Sequence, residues 1–492
     1  MRVSRLRLLL RLSALLGLSG CTVGPDFHPP TVAAPSSWGQ ERGDVAGATS
    51  AAPVDPLWWR SFHDPELSSL IGRLAAQNLD LREAAERIEQ GRAQRRIAAA
   101  QGLPHLDAQS SLTHQRMSPT GFISLVTPAP GANLDYDDWK NGLSASWELD
   151  LFGRVRRDVE ASRADLQVQI EDRRGLALSA LSELAQDYLQ LRGVQARLSI
   201  AETTLTLAQR NTDLVVDRLR NGVATTLDIA QARAQQAAIA GTLPPLRTEQ
   251  AALVNAIGLL LAEPPRALGA ELAQVSPVPP IPASVPVGVP ATLVRRRPDV
   301  RSAEAALHAA TARTGVAVAA FYPDIALTGM VDADGRLAVN AFSLPSRAYS
   351  LGPQISIPLF EGGQLRGQLQ LRKAQQREAA IAFQRTVLRA WTEVDDALTA
   401  YAEAQRARQD IVVAEQQDEA ALSAARQRYQ QGASDFLNVI TAQSQLLQAR
   451  NDLSMSDTRL ATDLVVLYRA LGGGWQAAEP AGTALADASN PS

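Results

Sequence analysis

The sequence R-L-R-N-G-V-A-T-T-L-D occupies residues 218–228, and a related sequence, R-Y-Q-Q-G-A-S-D-F-L-N, occupies residues 428–438. The two stretches begin 210 residues apart and carry Arg, Gly and Leu at matching places. Each one interrupts two long runs with helical patterning, and its glycine supplies the backbone freedom that a helix C-terminus needs. We interpret both stretches as tips of helical hairpins, and their recurrence predicts an internally duplicated chain.

The duplication extends beyond the tips. A segment with helical patterning at residues 75–101 is followed by Pro104, and a similar segment at residues 298–322 is also followed by a proline. Asp, Arg and Ala recur in the two segments at an offset of 219 residues. The sequence therefore predicts two structural repeats, at residues 57–262 and 298–471.

Each of these prolines is followed by a pattern with a period of two, which predicts strands with two different faces. Residues 143–151 alternate Leu, Ala and Trp with Ser, Glu and Asp, and the second repeat alternates Leu and Ile with Gly, Gln and Ser. The alternation predicts two strand pairs, at about 104–115 with 140–152 and at about 324–334 with 349–360.

The apolar face of these predicted strands needs a cover. A soluble sandwich would alternate in the same way, but long helices flank each pair and leave no second sheet. Strands of about ten residues that are apolar on one face and polar on the other are the unit of an outer-membrane barrel. Four strands cannot close a barrel, and unpaired edges are costly in lipid, so closure would require several subunits.

Two proline-free runs, residues 154–220 and 363–430, predict very long helices. A helix of about 67 residues is roughly 100 Å long. The first long run and both return limbs contain heptad seams of apolar and small residues. These seams would allow a helix to pack against neighbours on two sides. An ordinary antiparallel coiled coil would explain one seam but not the strands. Pro244 and Pro245 predict a break in the first return limb.

The ends and the middle of the chain have different compositions. Residues 1–20 are basic and then apolar, which predicts a signal peptide, and L-S-G-C resembles a lipobox that would make Cys21, the only cysteine, an acylated N-terminus. Residues 21–56 are rich in Pro, Ala, Gly and Ser and predict an extended arm. The sequence further predicts a Pro-rich equatorial linker at 263–297 and a C-terminal tail at 472–492, disordered after Trp475.

Several function classes are disfavoured by composition. Without residues 1–20, which hold four arginines and no acid, 44 basic residues face 51 acidic ones, a net charge of −7 that does not suit a nucleic-acid-binding protein. The five histidines are scattered without metal-ligand spacing, and no nucleophile, base and orienting residue form a set. We therefore expect no enzyme activity, no metal and no cofactor.

The quoted patterns resemble the outer-membrane factor lipoproteins of bacterial efflux, of the NodT, OprM and TolC type. The resemblance covers almost the whole mature chain. It rests on C-T-V-G-P-D-F-H-P-P from Cys21, W-E-L-D-L-F-G-R from Trp147, R-R-P-D-V-R-S-A-E-A-A-L from Arg296, S-I-P-L-F-E-G-G from Ser356, R-Y-Q-Q-G from Arg428 and L-G-G-G-W from Leu471.

This resemblance implies a mainly α fold with a membrane β-barrel portion: a homotrimer with a twelve-stranded barrel, four strands per chain, that continues into a long helical periplasmic barrel. The protein would lie in the outer membrane, anchored by lipid, and would act as a passive, gated conduit. Its partners would be a periplasmic adaptor and an inner-membrane pump of the resistance-nodulation-division type. A type I protein-secretion outlet and a non-transport structural lipoprotein are the alternatives.

The family's functional positions can be carried onto this sequence. Its gate implies a hydrophobic ring at Leu227 and Leu437 and an acidic ring at Asp228. The second tip departs from the family pattern, because Thr441 and Ser444 stand where an Asp and an Arg are usual, so we expect a gate that opens more readily. The adaptor-contacting positions implied at the tips are Arg218, Gly222, Val223, Arg428, Tyr429 and Gly432.

Overall fold

The computed structural model describes residues 22–35, 37–38, 48–50, 52–118, 134–282 and 284–479. The predicted signal peptide, the predicted acylation site Cys21 and the last thirteen residues lie outside this described part. The chain forms two compact units. The sheet unit takes its residues from 1–30, 88–168 and 303–382, and the hairpin unit from 31–87, 169–302 and 383–492.

The fold is mainly helical. The helices, in chain order, are α1 (Pro65–Gln77), α2 (Leu79–Ala100), α3 (Arg154–Arg220), α4 (Thr226–Leu260), α5 (Pro290–Arg296), α6 (Pro298–Ala319), α7 (Gln364–Gln430) and α8 (Phe436–Ala470). The strands are β1 (Ala48–Ser50), β2 (His105–Arg116), β3 (Asp135–Glu148), β4 (Ser284–Pro286), β5 (Asp324–Gly335) and β6 (Arg347–Ser356).

The long helices occur in pairs of equal length. Helices α3 and α7 contain 67 residues each, and the return helices α4 and α8 contain 35 residues each. The proline-free runs thus fold as the single helices that the sequence predicts. The predicted helix at 75–101 is divided, however, because Asn78 separates α1 from α2, and its side-chain oxygen caps the second helix by accepting a 3.0 Å bond from Leu81 N.

The predicted break at Pro244 and Pro245 is wrong. Helix α4 continues through both prolines, although each proline removes one N–H donor from the helix ladder. The reason lies in the packing beside them: Leu243 is buried in a cluster with Val194 and Leu198 of α3. Tertiary packing of one helix face outweighs the local cost of the prolines.

The sheet unit contains a four-stranded antiparallel sheet in the order β2-β3-β5-β6. The pairs β2·β3 and β5·β6 are the two predicted pairs, and β3·β5 joins them. Their register places the apolar side of every strand on the same face, as in the row Ala108, Leu143, Val331 and Tyr349. The opposite face is polar. The sheet is therefore amphipathic as a whole.

Two strands differ from their predicted ends. Strand β3 spans Asp135–Glu148, so it both starts and ends earlier than the predicted strand at 140–152. It ends early because Asp150 accepts hydrogen bonds from Val155 N and Arg156 N at the start of α3 and turns the chain. Strand β6 ends at Ser356, before the predicted end at 360, and Pro358 just beyond it has no N–H to continue the ladder.

The arm and the linker contain more structure than the sequence predicts. In the hairpin unit, β1 of the arm pairs in parallel with β4 of the Pro-rich linker, and the linker also holds α5. The expected disorder after Trp475 is wrong for residues 476–479. Trp475 is buried beneath the guanidinium of Arg174, and Arg174 also forms a 2.7 Å ion pair with Glu479.

In the sheet unit the first residues of the arm lie against the chain at very close range. A Cβ on Gly24 would lie 2.5 Å from Gly315 Cα, and one on Gly153 would lie 2.7 Å from Thr22 Cγ2. Arg157 lies between two carboxylates, 2.6 Å from Asp26 and 2.8 Å from Glu160. This arm segment is thus held by backbone contact and by charge. Among the described residues, none of the helices is both long enough and apolar enough to cross a membrane.

Candidate functional site: the paired turns

The two turns have the same backbone geometry. Gly222 and Gly432 have φ of +73° and +72°, the left-handed conformation that ends a helix. In the first turn Val223 N donates to Arg218 O at 2.9 Å, and in the second Ala433 N donates to Arg428 O at the same distance. Since a Cβ added to either glycine would meet no atom within 4 Å, backbone conformation and not space selects glycine.

The two turns differ in how the following helix begins. Thr225 and Asp228 form a complete capping box at the start of α4: Thr225 N donates to Asp228 Oδ2 at 2.7 Å, and Thr225 Oγ1 accepts from Asp228 N at 3.2 Å. The corresponding Asp435 at the start of α8 makes no side-chain cap. The predicted acidic gate residue Asp228 is therefore also a structural capping residue.

The side chains of the two turns contact each other within one chain. The guanidinium of Arg218 lies 4.4 Å from the ring centroid of Tyr429, and this ring lies 5.3 Å from that of Phe436. Phe436 in turn belongs to an apolar cluster that also includes Val215 and Leu446. Each fully buried side chain of this size contributes about 1.5–3 kcal/mol, so the cluster fixes the two hairpins side by side.

The remaining predicted tip and gate positions are exposed. Leu227 and Leu437 are 63% and 53% exposed, and Val223 is 72% exposed. Arg428 is also exposed, so its predicted contact with a partner is sterically open. The structure thus brings Arg218 and Tyr429 together. It leaves the two predicted gate leucines without an apolar cover in the described part of the chain.

The positions that depart from the family pattern make only neutral hydrogen bonds. Thr441 Oγ1 donates to Leu437 O at 2.9 Å within its own helix. Gln235 Nε2 donates to Ser444 Oγ at 2.9 Å and so links α4 to α8. Nearby, Asn211 Nδ2 donates to Gln443 Oε1 at 2.9 Å. This polar link was not predicted from the sequence, in which the recurrence of Gln at 235 and 445 is the available signal.

The apolar face of the sheet is a second exposed surface. Leu106, Tyr349 and Leu351 are 68%, 79% and 79% exposed, so the described part of the chain leaves most of this face uncovered. Trp139 and Trp147 lie on it eight residues apart in β3, or about 26 Å along the strand. Aromatic residues at both ends of an apolar band are typical of strands that face lipid.

No group of three or more His, Cys, Asp or Glu side chains in the described ranges is arranged to hold a metal ion. The described site instead consists of turns, a polar link between hairpins and exposed apolar side chains. These features suit contacts between protein surfaces and between protein and lipid.

Comparison with known proteins agrees with this geometry. Residues 70–263 and 289–473 match the model of a family described as outer membrane efflux protein. The solvent efflux pump outer membrane protein SrpC of Pseudomonas putida is 33% identical over 474 residues, covering 95% of this chain and 98% of the relative. The cation efflux system protein CusC of Escherichia coli is 30% identical over 473 residues, with 95% and 99% covered. The solved outer-membrane channel OprN shares 32% identity and a TM-score of 0.84, covering 93% of this chain and all of that one.

Proposed function

Because the chain belongs to the outer membrane efflux protein family and is an outer-membrane channel of an efflux system, we propose that it is the passive, gated outlet of a tripartite pump. In this proposal the chain forms a homotrimer and catalyses no reaction. A periplasmic adaptor and an inner-membrane transporter of the resistance-nodulation-division type supply compounds and energy. The exported compounds would be drugs or other small toxic molecules.

The unpaired edges of the sheet support the trimer. Strands β2 and β6 are the edges of the sheet, and each has one side without a strand partner in the described chain. Unpaired backbone groups cost several kcal/mol each in lipid. Pairing β2 of one chain with β6 of the next would remove these edges, and three chains would close a twelve-stranded barrel with the apolar face outward.

The geometry of the turns supports the adaptor contact. Val223 and Arg428 are exposed, and both turns present the same backbone shape and the same Arg and Gly spacing. In a homotrimer this shape would recur six times, twice per chain. A repeated shape suits a ring of identical partner subunits. We assign this contact to Arg218, Gly222, Val223, Arg428, Tyr429 and Gly432.

The gate would use Leu227 and Leu437 as a hydrophobic constriction, which closes a pore by excluding water. Asp228 would add a ring of carboxylates in the first turn, whereas Asn438 gives the second turn no charge at the corresponding place. The lipid anchor is proposed at Cys21, which lies outside the described residues. Two or more acyl chains there would hold the chain stably at the outer membrane.

Deletion of the chain and complementation test this function. We expect the deletion strain to accumulate a fluorescent efflux substrate, and the wild-type chain to reverse this effect. Gly432→Pro should not reverse it, because proline cannot adopt a positive φ, and Cys21→Ala should reverse it only in part. Gly241→Ala is the matched control, since it lies in a helix and has nothing within 4 Å of an added Cβ. Equal accumulation in the deletion and wild-type strains would contradict the proposal.

A further inference from the structure

The connection between β5 and β6, residues 336–346, folds back over the apolar face of the sheet. A single 3-10 turn at Asn340–Phe342 lies over the central strands β3 and β5. Asn141 Nδ2 donates to Ala341 O at 3.4 Å, and Ala341 is only 1% exposed. Asn141 is two residues from Leu143 in β3 and therefore shares its face. The connection thus lies on the apolar face, at the end of the sheet opposite the starts of α3 and α7.

The connection directs apolar side chains away from the sheet. Four of them are between 63% and 78% exposed, and residues 336–347 contain two arginines and no acidic residue. Interfacial segments bind a membrane through buried apolar area and through attraction to anionic lipids. The composition of this connection therefore suits the surface of an anionic leaflet. The four exposed side chains are those of Leu337, Val339, Phe342 and Leu344.

A groove separates the connection from the sheet. Its volume is about 550 Å³, within the range of roughly 300–1,000 Å³ that is typical of pockets for small ligands. Its apolar walls come from the sheet on one side and from the connection on the other, and all of these residues are exposed: Ala108, Leu143, Val331, Phe342 and Leu344. The groove is therefore open on the apolar face, where an acyl chain can enter it from lipid.

One cation lines this groove. Arg347 lies on the apolar face, since it is two residues from Tyr349 in β6 and stands opposite Ala333 in the register. It has no carboxylate partner among the described residues, whereas Arg116, at the same end of the same face, pairs with Asp135 at 3.0 Å. A guanidinium matches a phosphate through two parallel N–H donors. Arg347 therefore offers a phosphate an unpaired charge beside an acyl groove.

We propose that residues 336–347 form a binding site for a phosphorylated, acylated glycolipid of the outer leaflet. One acyl chain would lie in the groove between Phe342 and Leu143, and a phosphate would bind the guanidinium of Arg347. The inference rests on the proposed function, because the apolar face meets lipid only in the closed trimer. The long helices then lead into the periplasm, which leaves this connection at the outer leaflet. Three chains would hold three such lipids.

The site and the proposed lipid anchor would act on different leaflets. Acyl chains on Cys21 would enter the leaflet that faces the periplasm, whereas the groove beside Phe342 would take a chain from the outer one. The two contributions at the groove also differ in their dependence on salt. The charge of Arg347 is exposed, so its attraction for phosphate is screened at high ionic strength, and the apolar contact is not.

Native mass spectrometry of the purified full-length trimer tests the proposal, with lipid A as the phosphorylated glycolipid. We expect up to three lipid A molecules per trimer and several-fold weaker binding of phosphatidylglycerol and phosphatidylcholine. Arg347→Gln should weaken lipid A binding about fivefold and abolish most of its salt dependence. Its control is Arg116→Gln, which removes a paired arginine from the same end of the same face.

The apolar part of the site has its own variant. Phe342→Ser/Leu344→Ser should weaken lipid A binding several-fold at low and at high salt. Leu106→Ser/Ile355→Ser is the matched control, since both residues are exposed on the same face at the end nearest the helices, and it should bind as the wild type does. If either Ser variant forms no trimer, lipid A with a photoreactive acyl chain is applied to the wild type and should label residues 336–347.

The outcomes separate this inference from the proposed function. Equal binding of lipid A by the wild type and Arg347→Gln would overturn the site, and so would binding of phosphatidylglycerol as tight as that of lipid A. Photolabelling confined to other parts of the sheet would do the same. In each case a wild-type chain that restores efflux leaves the proposed function standing. A trimer that binds lipid A at this site but restores no efflux would overturn the proposed function alone.

Discussion

The guanidinium of Arg218 lies 4.4 Å from the ring centroid of Tyr429 and joins the first turn of the chain to the second. The two residues are 211 positions apart, and each lies in the last turn of one of the two 67-residue helices. Both are proposed adaptor contacts. Their contact predicts that a change in one turn affects the stability of the other within the same chain.

Loss of this pair should loosen the second turn. We expect Arg218→Ala to raise amide exchange in residues 428–438 by about two- to fivefold, since an exposed cation–π pair contributes about 0.5–1 kcal/mol. Tyr429→Ala and the double variant complete a cycle, and their effects should not add. The control is Arg220→Ala, whose partner is Asp217 in its own helix. If the exchange free energies of the two single variants add up to that of the double variant, the two side chains are not coupled.

The turn glycines should be replaceable only at the expense of backbone strain. Gly222→Ala and Gly432→Ala are each expected to destabilise the protein by about 1–2 kcal/mol, because both glycines have a positive φ and open space around them. Asn at either position should lower this cost. Gly241→Ala should be neutral or stabilising, as the residue lies within α4. Chemical unfolding of the trimer measures all three, and a neutral Gly432→Ala would exclude strain as the reason for glycine.

The stability of the hairpin unit should depend on pH through Asp187. Burial, together with the neighbouring charge of Glu183, raises the pKa of this carboxyl from 3.8 to about 6. Between about pH 4 and pH 6 the folded state holds a proton that the unfolded state has lost, so stability falls as the pH rises through this window. Above it, Asp187 is charged and unfavourable.

Asp187→Asn should therefore raise the free energy of unfolding at about pH 8 and leave it nearly unchanged at about pH 4. Two pKa units correspond to about 3 kcal/mol, and partial exposure of the carboxyl reduces this to about 1 kcal/mol. Asp213→Asn, at an exposed position of the same helix, is the control and should show no such difference. A stabilisation of equal size at both pH values would contradict the assignment.

The first arm residues should detach from the sheet unit when the close approach of Gly24 to Gly315 is prevented. Gly24→Ala places a Cβ 2.5 Å from Gly315 Cα and should expose residues 22–30 to protease. Arg157→Ala should act in the same direction, because Arg157 also lowers the pKa of Asp26 through a hydrogen bond and charge. Gly72→Ala, which meets nothing within 4 Å, is the control. Unchanged cleavage in both variants would mean that the arm is held elsewhere.

The gate should close more firmly when the usual charge pair is restored. Ser444 accepts a neutral hydrogen bond from Gln235, and Thr441 bonds to its own helix. We expect Thr441→Asp/Ser444→Arg to lower single-channel conductance, since each added pair contributes up to about 1 kcal/mol to the closed state. Ser444→Arg alone is the control. Conductance equal to wild type in the double variant would show that these positions do not limit opening.

Sequence periodicity is sufficient for the long helices and for the strand pairs. The run from Arg154 to Arg220 has no proline, and its end coincides with the glycine turn, so local signals alone determine its bounds. Strand ends are less predictable. The end of β3 depends on Asp150, whose side chain binds the start of the next helix and has no local periodic signal.

Features that depend on tertiary packing are not predictable in this way. The continuity of α4 through Pro244 depends on Leu243 packing against α3, and the strand β1 exists only because β4 lies beside it. The approach of Arg218 to Tyr429 likewise requires both hairpins in place. The duplication indicates that the turns are equivalent, but it contains no information on whether they touch.

The two consecutive prolines in α4 introduce a mechanical difference between the halves of the duplicated chain. Helices α4 and α8 have equal length, yet two consecutive N–H donors are missing only in the first, 18 and 19 residues after it begins. We therefore expect α4 to bend more readily at this point than α8, which contains no proline. The proposed trimer would contain three return helices with this weak point and three without it, so we expect any opening of the channel to bend α4 and to leave α8 straight.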